Sequence, residues 1–455
     1  MGARFGREGG LCLAKNLPLL RWFRAGSNNR ETLSARTRSV GRGDPKIMTT
    51  EPAGLTTERD LRTGGPVWLD TGRPNIAAAP LSESIEVDVA IVGGGITGAL
   101  VADGVLQTGK SLAVFDRRGF VTGSTCASTA LLQFEIDKPL IHLQEKIGRE
   151  KAARAYWRSA DALNHLRGRV MDLGLRAAFA ERHALYLPGN VLDVADLKRE
   201  ADARTCIGLR SRFIERDEVK TLTDIDAPAA IWSAGSGEID PVRFTASMWR
   251  SALKRGATLY APTEVTDMEH GRDAVTLTTD NAFEVKARHV IFATGYEVAK
   301  FIGLRGQKIT STWAIATKPQ PEALWRSRCL IWEAADPYLY IRTTPDGRVV
   351  VGGEDEDFSD EETRDRLITA KTNKISKKVG ALLPMIDPTP EFRWAGMFGD
   401  SPDGLPTIGP VPNAPRCFAV LGFGGNGITF GAVAAQIIQR AIVGIEDPDA
   451  KLFSL

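Results

Sequence analysis

The first regular elements that the hydrophobic pattern predicts form a strand–helix–strand unit between residues 86 and 116. Residues 87–92 are an apolar run rich in β-branched side chains, which is typical of a strand buried on both faces of a parallel sheet. Glycines follow, residues 99–106 predict a helix, and residues 111–115 predict a second buried strand that ends at Asp116. The pattern therefore predicts a βαβ unit of about thirty residues.

The rest of the chain alternates between helical and strand patterns. Residues 138–222 combine charged and apolar side chains at 3.6-residue spacing, which predicts a mainly helical region. Asp240 and Pro241 supply an N-cap and a first-turn proline, and Gly256 supplies a stop, so these residues bound another helix. Further strands are predicted at 258–260, 275–277, 283–285, 289–293 and within 309–353, and further helices at 359–381 and 427–443.

The chain before residue 85 shows little hydrophobic periodicity. Residues 49–84 are rich in Pro, Gly and Thr and predict an arm, with Trp68 as its expected anchor. Residues 1–47 hold ten basic and three acidic residues, whereas the remainder holds 48 basic and 53 acidic residues. We expect this basic segment to be a non-native or disordered extension before Met48. A transit peptide is the alternative, and a secretory signal is the least favoured interpretation.

Composition then narrows the function classes. A length of 455 residues with 43% hydrophobic and 25% charged residues is ordinary for a globular protein of two or three domains. Because the positive charge lies in the extension, we expect no nucleic-acid partner. No apolar run approaches the roughly 18 residues of a spanning helix, and we expect a cytoplasmic location. The five cysteines and five histidines show no disulfide or metal-ligand spacing, so no metal site is expected.

The glycine-rich turn of the βαβ unit carries the first chemical signal. Its sequence, Gly-Gly-Gly-Ile-Thr-Gly at 93–98, fits G-x-G-x-x-G between a strand and a helix. Gly93 permits the tight turn, Gly95 lets the backbone approach a pyrophosphate at the helix N-terminus, and Gly98 lets helix and strand pack closely. Asp116 ends the second strand, where a carboxylate can accept from ribose hydroxyls and disfavours NADP. The alternative is a glycine turn that binds nothing, and the turn alone does not separate FAD from NAD.

Two later features favour FAD. The sequence Ala-Thr-Gly at 293–295 closes an apolar strand, and Gly-Gly-Asn-Gly at 424–427 opens the last helix, so a second helix N-terminus can point at an electron-rich group. With the stretches at 88–98, 123–130, 291–296, 394–396, 403–409 and 422–429, the chain resembles the D-amino-acid oxidase-type flavoprotein family. This family includes glycine, sarcosine and γ-glutamylputrescine oxidases. The resemblance covers roughly residues 86–443.

The resemblance implies an α/β fold, in which a Rossmann-like FAD-binding domain carries an inserted α+β substrate domain with an antiparallel sheet. The FAD-binding domain is expected to be discontinuous, formed by 85–150, 230–303 and 393–447. The substrate domain is expected at 151–229 and 304–392, and residues 1–84 form the extension and the arm.

The resemblance also implies which residues bind FAD. The hydroxyl-rich loop after 123 runs past the pyrophosphate and flavin, and Val265 lies beside the adenine through its backbone. The turn at 424–427 faces the flavin pyrimidine edge, where its N–H groups stabilise the negative charge of reduced flavin. Alternatives are a helix N-cap cluster for the hydroxyls and an ordinary sheet residue for Val265. The expected FAD-binding residues are Gly93, Gly95, Ile96, Thr97, Gly98, Asp116, Arg117, Ser124, Thr125, Ser128, Thr129, Ala130, Val265, Ala293, Thr294, Gly295, Gly396, Gly424, Gly425, Asn426, Gly427, Ile428 and Thr429.

The reaction that the resemblance implies is hydride transfer from the carbon beside an amine nitrogen to flavin N5, which gives an imine that water hydrolyses. No acid–base residue is required, because a neutral amine can release hydride directly. We expect tight, non-covalent FAD, since neither Cys126 nor Cys417 has a spacing that suits covalent attachment. The alternatives are a flavin-binding subunit or electron-transfer component without its own turnover and, less favoured, an NAD-dependent dehydrogenase.

The catalytic-site candidates are Tyr340 and Arg342, which share one face of a strand predicted at 338–342. Arg342 is the expected cation for the carboxylate of a small amino-acid substrate, as in amino-acid-oxidising members of the family. The alternative is a pair of exposed residues on an edge strand. The acidic run at 354–357 could attract a polyamine, but a solvated loop is the favoured interpretation.

Overall fold

Two large sheets and the helices packed on them form the described part of the chain. The computed structural model describes residues 54–70, 72–175, 179–303 and 306–455. The basic segment at 1–47 and Met48 lie outside these residues, so the interpretations given for them stay predictions. Within the described residues, no helix is both long enough and apolar enough to cross a membrane.

Strands and helices are numbered in chain order. The strands are β1 (Arg62–Gly64), β2 (Ile85–Val92), β3 (Leu112–Phe115), β4 (Leu131–Leu132), β5 (Phe179–Leu187), β6 (Ser211–Glu215), β7 (Ala229–Ile239), β8 (Thr258–Tyr260), β9 (Val265–His270), β10 (Val275–Thr279), β11 (Glu284–Phe292), β12 (Lys308–Thr317), β13 (Leu330–Glu333), β14 (Leu339–Thr343), β15 (Val349–Glu356), β16 (Pro390–Asp400), β17 (Thr407–Pro410) and β18 (Cys417–Leu421). The α-helices are α1 (Ile96–Leu106), α2 (Leu140–Ile147), α3 (Arg149–Asp172), α4 (Val194–Cys206), α5 (Arg216–Thr223), α6 (Pro241–Lys254), α7 (Glu361–Arg366), α8 (Ile368–Leu382) and α9 (Gly427–Ile442).

The first sheet is parallel at its centre. Its strand order is β17-β18-β11-β2-β3-β8, with β10 and then β9 attached to β11. Strands β18, β11, β2, β3 and β8 run parallel, and α1 packs against α6 and α9. The carboxyl ends of parallel strands meet at one edge of a sheet. The turns that follow β2, β3, β11 and β18 are therefore brought together.

The second sheet is mostly antiparallel and has ten strands. Its order is β1-β16-β12-β15-β14-β13-β5-β7-β4, with β6 beside β7. Helix α8 covers one face of β12, β15 and β16 and encloses a buried apolar cluster that includes Trp313, Ile315 and Val351. Residues of β12, β14 and β16 line a cavity, which is described below.

The predicted βαβ unit corresponds to β2, α1 and β3. Predicted N-capping by Asp240 is confirmed, because its carboxylate accepts from the backbone N–H groups of Val242 and Arg243 at 3.0 and 2.9 Å. The predicted anchor, Trp68, is buried, and its indole N–H donates to the carbonyl oxygen of Ser128 at 2.7 Å. The sequence was sufficient to predict these features, because the βαβ unit and the N-cap depend on residues close in sequence and the anchor depends on burial of a large side chain.

Three predictions of secondary structure were incomplete. The region 138–222 contains strands β5 and β6 besides α2–α5, because both strands pair with β7 and this long-range pairing overrides the local helical pattern. The strands expected at 283–285 and 289–293 are one strand, β11, whose first half alternates exposed and buried residues and whose last three residues are buried. The helix expected at 359–381 is divided into α7 and α8.

Candidate functional site

The turn between β2 and α1 has the geometry that its glycines permit. Gly93 has a φ of 121°, in the region that favours glycine. A Cβ on Gly98 would lie 2.0 Å from the carbonyl oxygen of Gly93, so helix and strand approach too closely for any other residue. The backbone N–H of Ile96 donates to Thr125 Oγ1 at 3.0 Å. The N-terminus of α1 therefore opens beside the hydroxyl-rich loop.

Asp116 holds the neighbouring loops through both carboxylate oxygens. Oδ2 accepts from the backbone N–H of Gly94 at 2.8 Å, and Oδ1 accepts from those of Arg118 and Gly119 at 2.9 Å each. Burial raises the pKa of Asp116, although these three hydrogen bonds oppose the shift. Asp116 thus shapes the turn as well as lining the cavity beside it.

A first cavity, here called the glycine cavity, lies at the carboxyl edge of the parallel sheet and has a volume of about 780 Å³ including its open mouth. Thr294 is among its lining residues, and Thr294 Oγ1 is buried without a hydrogen-bond partner among the described residues. Arg117 contacts Glu264 at 3.2 Å on its rim. The predicted residues that line the glycine cavity are Gly93, Gly95, Ile96, Thr97, Asp116, Arg117, Ser124, Thr125, Val265, Ala293, Thr294 and Gly295.

A second cavity, here called the aromatic cavity, has a volume of about 1240 Å³ including its mouth and lies against the antiparallel sheet. The predicted residues in its wall are Ile96, Thr97, Ser124, Thr125, Ser128, Thr129, Ala130, Gly295, Tyr340, Gly396, Gly424, Gly425, Asn426, Gly427 and Ile428. Five of these also line the glycine cavity: Ile96, Thr97, Ser124, Thr125 and Gly295. The two cavities are therefore adjacent along a shared wall.

Three predicted site residues, Gly98, Thr429 and Arg342, do not belong to either cavity wall in the described part of the chain. Gly98 is buried in α1, and Thr429 Oγ1 donates to the carbonyl oxygen of Gln133 at 2.8 Å. Both residues pack against residues that line the cavities and do not line the cavities themselves.

Arg342 lies beneath the aromatic cavity and is only 1% exposed. Its Nη1 donates to the carbonyl oxygens of Ala130 and Ile239 at 3.0 and 2.6 Å, and its Nε lies 3.6 Å from Glu238 Oε2. The guanidinium also packs over the ring of Trp68. Because the protein itself satisfies this cation, the structure does not place Arg342 where the sequence analysis expected it to meet a substrate carboxylate.

Tyr340 does reach the aromatic cavity. Its hydroxyl group lies 2.8 Å from Thr312 Oγ1, and its ring centroid lies 5.3 Å from that of Tyr338. Burial raises the pKa of both tyrosines well above the usual value. Both phenols are therefore neutral hydrogen-bonding groups at neutral pH.

Sequence reasoning missed most of the aromatic and acidic wall. The aromatic side chains it did not assign to the site are Tyr296, Trp332, Tyr338, Trp394, Phe398 and Phe423. The acidic groups are Glu135 and Asp137, which alternate with Phe134 and Ile136. That alternation of polar and apolar residues was a usable signal, because in an extended segment it directs every second side chain to one side.

The turn before α9 differs from expectation at Gly425. Its backbone N–H donates to Asp137 Oδ2 at 2.7 Å, and the side-chain amide of Asn426 donates to the carbonyl oxygen of Glu135 at 2.5 Å. The pKa of Asp137 is raised to about 6, because burial penalises its charged form. The N–H of Gly425, expected to face a flavin, is thus directed at a carboxylate.

The donor set fits FAD. Gln133 Nε2, in the wall of the aromatic cavity, is buried without a hydrogen-bond partner among the described residues, as is Thr294 Oγ1 in the glycine cavity. Buried polar groups of native proteins are ordinarily satisfied, so such atoms at a cavity surface indicate a ligand that would pair with them. Glycine turns, helix N-termini and small residues at the switch edge of a parallel sheet are what a dinucleotide requires.

Comparisons with known proteins agree with this geometry. The family model described as DAO, FAD dependent oxidoreductase, matches residues 88–441. The chain is 25% identical over 379 residues to the glycine oxidase of Geobacillus kaustophilus (strain HTA426), which covers 78% of this chain and 93% of that protein. It is 23% identical over 385 residues to a Bacillus subtilis (strain 168) protein named "Putative Rieske 2Fe-2S iron-sulfur protein YhfW", which covers 82% of this chain and 72% of that protein.

Among solved structures, the crystal structure of glycine oxidase from Geobacillus kaustophilus is similar at a TM-score of 0.66 and 19% identity. The match covers 81% of this chain and 98% of that chain. The two chains share a fold, and the predicted α/β class with a Rossmann-like domain is confirmed.

Proposed function

Because this chain belongs to the DAO family of FAD dependent oxidoreductases, we propose that it oxidises the carbon–nitrogen bond of a small amine or amino acid. The observation that carries the proposal is the joining of the glycine cavity to the aromatic cavity through five shared residues. One cavity has the backbone and small residues that suit a dinucleotide, and the other has the aromatic walls that suit an organic substrate. Glycine oxidase, to which the chain is similar, is named for such a reaction.

In this proposal the glycine cavity holds the adenosine and pyrophosphate part of FAD, through Gly93, Gly95, Asp116 and Thr294. The hydroxyl-rich loop and the turn at 424–427 hold the flavin part. When bound, FAD supplies the acceptor for a hydride from the carbon beside the amine nitrogen, and the resulting imine is hydrolysed by water.

The antiparallel sheet contributes the substrate side. The rings of Trp332, Tyr338 and Tyr340 form an apolar wall that excludes water from the reacting carbon. The hydrogen bond between Tyr340 and Thr312 fixes the orientation of the phenol. These groups orient a substrate, and none of them has to accept a proton for a neutral amine to react.

FAD attachment is proposed to be non-covalent. Cys126 is buried, and its Sγ donates to the carbonyl oxygen of Val121 at 2.9 Å. Cys417 is buried in β18, with its Sγ 3.6 Å from Met268 Sδ. Burial raises the pKa of both thiols, which opposes formation of the reactive thiolate.

We also propose the domain boundaries given above and a cytoplasmic location.

Anaerobic spectroscopy tests the proposed function. The purified protein is expected to be yellow, to release intact FAD on denaturation, and to lose its flavin absorbance when an oxidisable amine or amino acid is added. A yellow protein that no member of a broad amine and amino-acid panel bleaches would overturn the proposal in favour of an electron-transfer component.

A further inference from the structure

The charged side chains in the wall of the aromatic cavity are all acidic. Glu135 and Asp137 line it, and no lysine, arginine or histidine does so among the described residues. Arg342, the cation predicted for a substrate carboxylate, is held by backbone carbonyls beneath the wall. A carboxylate ligand would thus enter a cavity that offers negative charge and no counter-charge.

Glu135 carries the second observation, which concerns an unpartnered atom. Its side chain is completely buried, and Oε2 has no hydrogen-bond partner among the described residues. Oε1 lies 3.4 Å from Arg204 Nη1, and Arg204 Nε donates to Glu200 Oε1 at 2.7 Å. With all three groups ionised, this buried triad has two negative charges and one positive charge. A cation in the cavity would offset the excess negative charge of this group.

Asp137 adds a carboxylate on the same wall. One of its oxygens is held by the N–H of Gly425, which fixes the carboxylate at the cavity surface. Lys138 and Asp400 also act on Asp137, and their charges oppose each other. The adjacent lysine therefore does not cancel the negative charge of the wall.

Asp355 is a further buried carboxyl group, on β15 of the antiparallel sheet. Both of its carboxylate oxygens are buried and unpartnered among the described residues. Along β15, the neighbouring Glu354 points the other way, to Lys371, Lys374 and Lys378 of α8. The loop expected at 354–357 is therefore wrong for residues 354–356, which belong to β15, although Glu356 and Asp357 are exposed.

The aromatic part of the wall suits the same kind of ligand. Tyr338 and Tyr340 stand with ring centroids 5.3 Å apart, and Trp332 lies in the same wall. The faces of such rings attract cations, most strongly when the cation is removed from water. Carboxylates and aromatic faces together form the usual recognition surface for an ammonium group.

We propose that the aromatic cavity selects a cationic amine and does not require a carboxylate on the substrate. Glu135 and Asp137 attract the ammonium group, and Tyr338 and Tyr340 contact its alkyl substituents. Because hydride leaves only from the neutral amine, the ammonium proton passes to Asp137 or to water before oxidation. This inference rests on the proposed function, because it names the substrate class for that reaction. It distinguishes this chain's cavity from one built for an α-amino acid, which needs a cation for the carboxylate.

The test uses binding of two probes that cannot be oxidised, so it does not depend on turnover. FAD-loaded protein is titrated with benzyltrimethylammonium and with benzoate, and binding is followed by the change in flavin absorbance and by the shift in Tm. We expect saturable binding of the cation, at least about tenfold tighter than that of benzoate, as for a ligand with a charge-assisted contact. Tighter binding of benzoate, or no binding of the cation, would overturn the inference.

Two variants localise the effect. Asp137→Asn is expected to weaken cation binding by about tenfold and to strengthen benzoate binding relative to the cation. The matched control is Asp357→Asn, because Asp357 is exposed and lies in the same acidic run as Asp355. Unchanged cation binding in Asp137→Asn, or an equal loss in Asp357→Asn, would contradict the assignment.

The two proposals fail in different ways. If the cation binds but no amine bleaches the flavin, the cavity assignment stands and the proposed function is wrong. If amino acids bleach the flavin and benzoate binds more tightly than the cation, the proposed function stands and this inference is wrong. The comparison of the two probes needs only the unmodified protein, so misfolding of a variant does not obscure it.

Discussion

The carboxylate of Asp137 accepts a hydrogen bond of 2.7 Å from the backbone N–H of Gly425, 288 residues away in sequence. This contact joins the acidic segment 133–137 to the turn that opens α9. It places a negative charge at the helix N-terminus, where such a charge is favourable. The aromatic cavity is therefore acidic at the point where it meets the residues expected to hold the flavin.

The affinity for a permanent cation should depend on pH through Asp137. Its pKa is raised from 3.8 to about 6, so the group is protonated and neutral below that pH and ionised above it. Binding of benzyltrimethylammonium should strengthen as pH rises through about 6, with a further contribution from Asp355, whose pKa is raised to about 7 by burial. Titrations between pH 5 and 8 check this. The increase near pH 6 should be absent in Asp137→Asn; if that variant keeps the full increase, Asp137 is not the titrating group.

Gly95 should control FAD occupancy. A Cβ there would lie 3.2 Å from Thr125 Oγ1, so a valine would occupy the space between the turn and the hydroxyl-rich loop. We expect Gly95→Val to be folded but to lose most bound FAD, measured as the ratio of flavin to protein absorbance. Gly168→Val is the control, since a Cβ at Gly168 meets no atom within 4 Å. Full FAD occupancy in Gly95→Val would exclude the glycine cavity as the FAD site.

Gly98 should control stability instead. Since a Cβ on Gly98 would lie 2.0 Å from the carbonyl oxygen of Gly93, α1 and β2 must separate in Gly98→Ala. We expect a loss of about 1–3 kcal/mol in the free energy of unfolding, typical of overpacking. Gly168→Ala, on the exposed face of α3, should instead be neutral or stabilising by up to about 1 kcal/mol. Chemical denaturation measures both, and equal effects at the two positions would contradict the close approach.

Arg342 should act as a positioning residue for the loop 128–130. Arg342→Met removes the donor to the buried carbonyl oxygens of Ala130 and Ile239, while Glu238 keeps its hydrogen bond from Arg182 at 2.8 Å. Since each buried acceptor left unsatisfied costs about 1–3 kcal/mol, we expect a loss of about 3 kcal/mol or more in the free energy of unfolding. The control Arg216→Met, at an exposed pair with Asp226, should change it by less than about 0.5 kcal/mol. A stable Arg342→Met protein that loses only affinity for carboxylate substrates would restore the carboxylate-binding role.

Tyr340 should orient substrate without transferring a proton. Tyr340→Phe removes the hydrogen bond to Thr312 but keeps the ring. We expect the rate of anaerobic bleaching to fall by less than about tenfold, whereas loss of a general acid or base would cost about 10²- to 10⁴-fold. Stopped-flow measurements distinguish the two, with Tyr338→Phe as the control for a neighbouring phenol. A loss in the larger range would assign Tyr340 an acid–base role.

The sequence was sufficient to predict the parts of the site that depend on backbone conformation. The glycines at 93–98, the Ala-Thr-Gly at 293–295 and the turn at 424–427 come together because each follows a parallel strand, and the order of elements implies this. The side chains over the substrate cavity depend on which strands pair. Sequence alone did not show that β15 lies between β12 and β14, so that Tyr340 is opposite Gly352 and its hydroxyl group reaches Thr312 on the strand beyond.

Arg342 and Asp355 show why side-chain roles were harder to predict. An arginine on a strand face gives the same pattern whether it meets solvent, substrate or buried carbonyls, and its partners at 130 and 239 are distant in sequence. An acidic run is usually solvated, yet alternation along β15 buries Glu354 against lysines and Asp355 on the other side. Only the packing of α8 and the neighbouring strands decides these cases.

The most direct test of carbon–nitrogen oxidation is an anaerobic titration of the FAD-loaded protein with a small cationic amine that bleaches its flavin, together with analysis of the product. We predict that each equivalent of flavin bleached yields one equivalent of the aldehyde or ketone from the hydrolysed imine. Bleaching without a carbonyl product, or no bleaching by any amine while FAD remains bound, would contradict carbon–nitrogen oxidation in the aromatic cavity.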